Sequence, residues 1–190
     1  MSPSSDKLLI LDLDETLVHS VEKPLERPSD FRVYEYEVYK RPGVEEFLSV
    51  CAAMFDMAVW TSSGSNYAHE VIKHIFPKSV QLKFIFTRER CTRCWDYEVG
   101  SPYYIKNLKK VKRKGYSLEK VLVIDDTPEK LSRNYGNLIR VQEYHGSLDD
   151  EELFLLLKYL EIIKTVPNVR TIEKRGWRHK VKPFNDNMYV

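Results

Sequence analysis

The stretch LLILDLDETLVHS, Leu8–Ser20, sets three carboxylates, Asp12, Asp14 and Glu15, directly after an aliphatic run. Like charges crowded at the end of a buried strand are unfavourable unless a cation or protons offset them. A second pair, Asp125-Asp126, follows the aliphatic run KVLVI, and a hydroxyl cluster, Thr61-Ser62-Ser63, follows MAVW. In open α/β sheets, sites form at the carboxyl ends of strands. If these three strands are neighbours, four carboxylates and a hydroxyl converge, and a divalent cation is needed to hold them together. Hard oxygen ligands of this kind suit Mg²⁺, which keeps several waters and often shares its shell with a substrate phosphate. Lys106, between the second and third clusters along the chain, can add a positive charge.

The elements that must position these groups follow from the hydrophobic pattern. Residues 7–11, 57–60, 81–86, 120–124 and 138–141 read as short buried strands, the kind found in parallel sheets. Arg32–Lys40 alternates at period two and predicts a single half-exposed strand, after a proline-containing loop at 21–31. Helices are expected after Pro42, from Asn66 to about Phe76, around Leu108–Val111, and from Asp149 or Asp150 to about Lys164. The segment Thr87–Tyr104 reads as irregular. Strands alternating with helices predict an α/β fold with a mainly parallel sheet.

The bulk properties narrow the class. With 190 residues, 43% hydrophobic and 31% charged, the chain suits one globular domain. A net charge of +2 does not by itself imply nucleic-acid binding. No run approaches roughly 18 apolar residues, and MSPSSDK lacks the order of a signal peptide, so no membrane association is expected. Three cysteines fit a reducing compartment, cytoplasmic or, in a eukaryote, nuclear. A monomer is the expectation.

DLDET at Asp12–Thr16 resembles the DxDx(T/V) signature of haloacid dehalogenase superfamily phosphotransferases. LDLDETLVHS, KRPGVEEFL, VWTSS, YIKNL and VLVIDDTP are similar, in order, to blocks of the small RNA polymerase II C-terminal-domain phosphatases, also called NLI-interacting-factor-like phosphatases. The resemblance implies a haloacid-dehalogenase-like Rossmannoid fold, with helices flanking a central sheet, only small insertions and no large cap domain. It implies an N-terminal extension at 1–6, a phosphatase domain at 7–172 and a basic tail at 173–190. It also implies Asp12 as the nucleophile that forms an aspartyl-phosphate and Asp14 as general acid and base. Thr61, Ser62 and Lys106 would hold the phosphoryl oxygens. Mg²⁺ would be held by Asp12, the Asp14 backbone carbonyl, and Asp125 or Asp126. Many small members carry Asp-Asn where this chain has Asp-Asp, which leaves open which of the pair meets the metal. Glu15 is not required in the site and is expected to face elsewhere.

Plainer readings compete. Asp12, Asp14, Asp125, Asp126 and Thr61 can serve as caps or turn residues, and Lys106 as a solvated lysine. Cys91-Thr-Arg-Cys94 has a CxxC spacing, but no second pair completes a zinc site. His19 can line the site, whereas His69 and His74 are poorly spaced to share a metal. Trp95, Tyr97, Tyr103 and Tyr104 belong either to a peptide groove or to the core.

Neither the chain between Asp14 and Thr61 nor that between Thr61 and Lys106 leaves room for a large cap. The site is therefore expected to be open, with walls at 32–40 and 87–104, and an open site suits a phosphorylated protein or peptide. The basic run Lys106–Gly115 gives slight support to a rival reading, a phosphatase for nucleic-acid termini; small metabolites are a third substrate class. A silent scaffold that binds partners through the same groove is the non-enzymatic alternative.

Overall fold

The computed structural model describes residues 3–181. β1, Leu8–Leu11, is fully buried and forms the middle of a five-stranded parallel sheet. Its period-two pattern splits between two cores. Leu9 and Leu11 face one side of the sheet, and Leu8 and Ile10 face the other. Burial on both faces is why the strand reads as an unbroken apolar run.

The chain leaves β1 into a small antiparallel sheet of β2, Val18–Val21, β3, Phe31–Val33, and β4, Tyr36–Lys40. The single strand expected over Arg32–Lys40 is therefore a hairpin. Its turn is Tyr34-Glu35, with Tyr34 at φ 54. No Gly, Asn or Pro marks that turn, and a bulky residue with positive φ is uncommon enough to escape a sequence reading. Next comes α1, Val44–Met54, whose N-cap Gly43 has φ 75; a Cβ there would stand 2.7 Å from the Phe154 ring.

β5, Asp56–Trp60, returns to the main sheet beside β1, followed by α2, Ser65–Ile75, and β6, Leu82–Phe86, on the sheet edge. The segment expected to be irregular is an antiparallel hairpin of β7, Thr92–Asp96, and β8, Ser101–Ile105. Pro102 masked it in the sequence. Proline is tolerated because a two-stranded ribbon leaves one edge of each strand unpaired. Trp95, Tyr97 and Tyr103 are exposed on this hairpin, which removes the core reading for them.

After α3, Lys109–Lys112, come β9, Val121–Asp125, and β10, Leu138–Arg140, which complete the sheet in the order β10-β9-β1-β5-β6. α4, Glu152–Ile163, packs on α1. It starts later than Asp149 or Asp150 because Asp150 is engaged elsewhere: its carboxylate accepts from Arg41 and from the Glu152 backbone N–H. The fold is a haloacid-dehalogenase-like α/β fold whose insertions are limited to the small sheet and the hairpin.

Residues 173–181 lie in the segment that the sequence sets apart as a basic tail, yet two of its side chains, Lys174 and Trp177, are buried. Trp177 is buried, stacks on Tyr159 and donates its indole N–H to the Arg140 carbonyl at 2.8 Å. Arg178 pairs with Glu152. Trp177→Ala is expected to cost about 3–5 kcal/mol of stability, the range for removing a large buried aromatic, measured by urea unfolding.

Candidate active site

The register of the sheet assembles the site. Leu11 of β1 lies level with Ile124 of β9 and Val59 of β5, so Asp12, Asp125 and Thr61 all emerge at the carboxyl end of adjacent strands. The Asp12 N–H donates to the Ile124 carbonyl, which extends the pairing by one residue. The chain then turns. The Asp12 carboxylate accepts the Leu13 N–H at 2.9 Å, and the N–H groups of Thr16, Leu17 and Val18 all point to the Leu13 carbonyl. Glu15 takes φ 56 to close this loop.

The turn sends the two catalytic candidates into different surroundings. Asp12 is 1% exposed, and its Oδ2 receives both Lys106 Nζ at 2.9 Å and Lys130 Nζ at 2.8 Å. Burial alone would raise its pKa, but the two ammonium groups outweigh burial and hold Asp12 well below the usual carboxylate range. Asp14 is half-buried and meets neutral donors instead: Ser63 Oγ at 2.6 Å and the Tyr67 hydroxyl at 2.6 Å. Burial raises its pKa; the two hydrogen bonds oppose this and the nearby Asp12 charge adds to it. Two neighbouring carboxylates with opposite shifts are the pattern expected of a nucleophile beside a general acid.

Asp125 is fully buried and accepts from Lys106 at 2.6 Å and from the Thr127 N–H at 3.0 Å. Burial and the Asp12 charge push it up to about 7 against the pull of the two lysines. Asp126 is held by hydroxyls, accepting from Thr16 at 2.9 Å and from Thr127 at 2.6 Å. Among the described residues, Asp12, Asp125 and Asp126 form the one acidic group that could hold a metal, with one carboxylate oxygen from each lying within 4.8 Å of the others. Three hard oxygens at the end of a parallel sheet fit Mg²⁺. The Asp14 carboxylate is outside this group, so a contribution from Asp14 would come from its backbone carbonyl.

Several contacts were not foreseen in the sequence. Lys130 sits in the 3-10 turn Pro128–Leu131, and its carbonyl accepts the Lys106 N–H at 2.6 Å, so the two lysines are anchored together. Its position four residues after Asp126 was the available signal, because a tight turn at Pro128 brings that side chain back over the carboxylates. Ser63 rather than Ser62 holds Asp14; Ser62 uses its carbonyl to hold Arg88. The Thr61 hydroxyl accepts the Ser63 N–H at 3.0 Å, which orders the loop. Glu15 stands outside the Asp12–Asp125–Asp126 group, with a partly exposed side chain that meets His19. Burial, with Asp14 and Asp126 close by, raises it to about 7, and His19 Nδ1 lies 3.2 Å from its Oε1. The fully buried Arg41 ties Thr16 to the start of α4: it donates to the Thr16 carbonyl at 3.0 Å and twice to Asp150 at 2.8 Å.

Comparison with known proteins gives this geometry its setting. The family described as NLI interacting factor-like phosphatase matches residues 7–170. The chain belongs to the NLI interacting factor-like phosphatase family. It is 35% identical over 175 residues to CTD small phosphatase-like protein 2 of Dictyostelium discoideum, covering 88% of this chain and 29% of that protein. It is 30% identical over 191 residues to CTD nuclear envelope phosphatase 1 of Xenopus laevis, covering 93% of this chain and 75% of that one. Against the solved structure of Fcp1, an essential RNA polymerase II CTD phosphatase, the TM-score is 0.56 at 20% identity. That match covers 92% of this chain and 48% of the other and supports the fold alone. The chain spans about half or less of the length of the first curated relatives it matches.

For this family member, Lys106→Met would leave Asp12 and Asp125 buried with Lys130 as their remaining ammonium partner. We expect a loss of roughly 3–5 kcal/mol, the range for breaking a buried ion pair, read by urea unfolding without divalent ions. Millimolar Mg²⁺ should recover part of it.

Proposed function

We propose that the chain is a Mg²⁺-dependent phosphomonoester hydrolase that acts on phosphoserine or phosphothreonine in proteins through an aspartyl-phosphate intermediate. The observation that carries this reading is Asp12. A buried carboxylate held by two ammonium groups at the carboxyl end of the central strand supports the reading of Asp12 as a nucleophile rather than a cap.

An Asp12 carboxylate oxygen attacks phosphorus, forming the Oδ–P bond as the bond from phosphorus to the leaving oxygen breaks. Protonated Asp14 gives its proton to that oxygen. Ionised Asp14 then takes a proton from water as the water oxygen attacks phosphorus, which releases inorganic phosphate and restores Asp12. Ser63 and Tyr67 orient the Asp14 carboxyl between these two tasks. Lys106 and Thr61 neutralise and orient the phosphoryl oxygens, with Ser62 at the rim. Asp12, Asp125, Asp126 and the Asp14 carbonyl would hold Mg²⁺, which would supply positive charge against the repulsion between nucleophile and phosphoryl group.

The protein-phosphatase reading is supported by the small size of the additions to the main sheet, by the exposed aromatic residues Trp95, Tyr97 and Tyr103, and by the names of the relatives. The basic run gives the nucleic-acid alternative less support, since Lys110 is tied to the Arg90 carbonyl and Lys109, Lys112, Arg113 and Lys114 lie exposed on and after α3. We further propose a reducing compartment, cytoplasmic or nuclear, on the small and odd number of cysteines.

Phosphate release from phosphoserine and phosphothreonine peptides tests the proposal. The unmutated chain should release phosphate with Mg²⁺ and stop when EDTA removes the ion. Asp12→Asn should abolish turnover, and Asp14→Asn should lower kcat by about 10²–10⁴-fold. Activity confined to sugar phosphates would overturn the substrate class, and activity retained in Asp12→Asn would overturn the mechanism.

A further inference from the structure

Lys130 is the one member of the charged cluster for which the proposed reaction has no task. Its ammonium lies 2.8 Å from Asp12 Oδ2 and 3.7 Å from Asp125 Oδ1. Asp12, Asp125 and Asp126 all hold it in the charged form, outweighing burial. These are the same three carboxylates that converge as the candidate metal group.

The two lysines differ in one respect that matters. The Lys106 side chain is 1% exposed and locked between Asp12 and Asp125, whereas the Lys130 side chain is 19% exposed. A long side chain with a path to water can withdraw its ammonium without leaving a buried charge unpaired. The backbone of Lys130 is fixed by its bonds to Lys106 and Thr127, so only the side chain needs to move.

Charge points the same way. When all three are ionised, Asp12, Asp125 and Asp126 set three negative charges against two ammonium groups. Asp126 accepts from the Thr16 and Thr127 hydroxyls, which hold its carboxylate but bring no positive charge. Without Lys130, the protein free of metal would bury an excess of two negative charges.

From this placement we propose that Lys130 is a built-in counter-cation. It balances the Asp12–Asp125–Asp126 group in the metal-free protein, gives way when a divalent ion arrives, and thereby weakens the protein's affinity for that ion. Through its contact with Asp12 it is a positioning residue rather than a catalytic one. The inference rests on the Mg²⁺ site of the proposed function and not on the substrate.

Titration calorimetry of the full chain with MgCl₂ alone, and thermal unfolding with and without Mg²⁺, provide the test. Lys130→Met should bind Mg²⁺ about ten-fold or more tightly than the unmutated protein, since a unit charge a few ångström from the ion is removed. It should melt lower than the unmutated protein without metal and approach it at saturating Mg²⁺. Lys109→Met, on exposed α3, controls for net charge and should change neither value. If Lys130→Met fails to fold, the double variant Asp126→Asn with Lys130→Met restores the original charge balance. It should bind Mg²⁺ within a few-fold of the unmutated protein, while Asp126→Asn alone binds it more weakly than either. Equal or weaker Mg²⁺ binding by Lys130→Met, or no return in the double variant, overturns the inference and leaves the phosphatase reading intact. The absence of Mg²⁺ binding to the unmutated protein overturns both the metal site and the inference. Failure of phosphate release with metal binding intact overturns only the proposed activity.

Discussion

The structure turns on the repulsion between buried carboxylates at the end of its central strand. Asp12 and Asp125 are sealed from water and share Lys106, whose ammonium lies 2.9 Å from one and 2.6 Å from the other. In a medium of low effective dielectric, such charges are tolerable only when opposite charges and hydrogen bonds meet them closely. Much of the surrounding chain serves that end. The Pro128–Leu131 turn returns Lys130, the β8–α3 connection supplies Lys106, and the Lys106–Lys130 backbone bond fixes the two supports relative to each other. Arg41 holds the loop after Asp12 from behind by bonding the Thr16 carbonyl and Asp150. Strand order does the rest: β1 lies between β5 and β9, so the groups that must meet are one strand apart.

The same cluster explains the separation of roles between Asp12 and Asp14. If the chain stayed extended, alternate residues would share a face and both carboxylates would face the same ammonium groups. The bend after Asp12, with Glu15 at positive φ, removes Asp14 from that field and gives it hydroxyl partners. One carboxylate is thereby held ionised, while its neighbour's pKa rises. A residue that is neither glycine nor asparagine in the left-handed region is a local cost, found where surrounding structure enforces it. Here the Glu15 N–H bond to the Val18 carbonyl and the Tyr144 N–H bond to the Glu15 carbonyl enforce it.

What the sequence disclosed and what it concealed divide along physical lines. Buried parallel strands declare themselves as aliphatic runs, and polar residues at their carboxyl ends declare the site, so the sheet, Asp12, Asp125 and Thr61 were all legible. Lys130, Ser63 and Tyr67 were not, because their roles depend on how a turn or helix start folds back. Residue type gives no hint that Ser63 rather than Ser62 reaches Asp14. The hairpin at Tyr34 was hidden because its turn uses a residue that turns seldom use, and the β7–β8 hairpin because Pro102 sits in a strand. Glu15 stays outside the acidic group, as expected, but the bend sets it beside His19 and within reach of the Asp14 and Asp126 charges. The basic composition after residue 172 drew attention from Trp177, whose ring closes the core against Tyr159.

The balance of charge also bears on how open the site can be. A fold with a large cap can surround a phosphoryl group with protein and exclude water on all sides; here the additions to the sheet are a three-stranded patch and a two-stranded hairpin. The base is nevertheless well buried, because Asp12, Thr61, Lys106 and Asp125 are each at most 2% exposed. The strong electrostatics are therefore confined to the floor, and water is left to be displaced only from above. A phosphorylated side chain presented by a protein surface can do that, since its own backbone and neighbours cover the opening. A small phosphate ester would cover less of the site than a protein surface does. Buried charges beneath only small additions to the sheet are the physical ground on which the proposed large substrate rests.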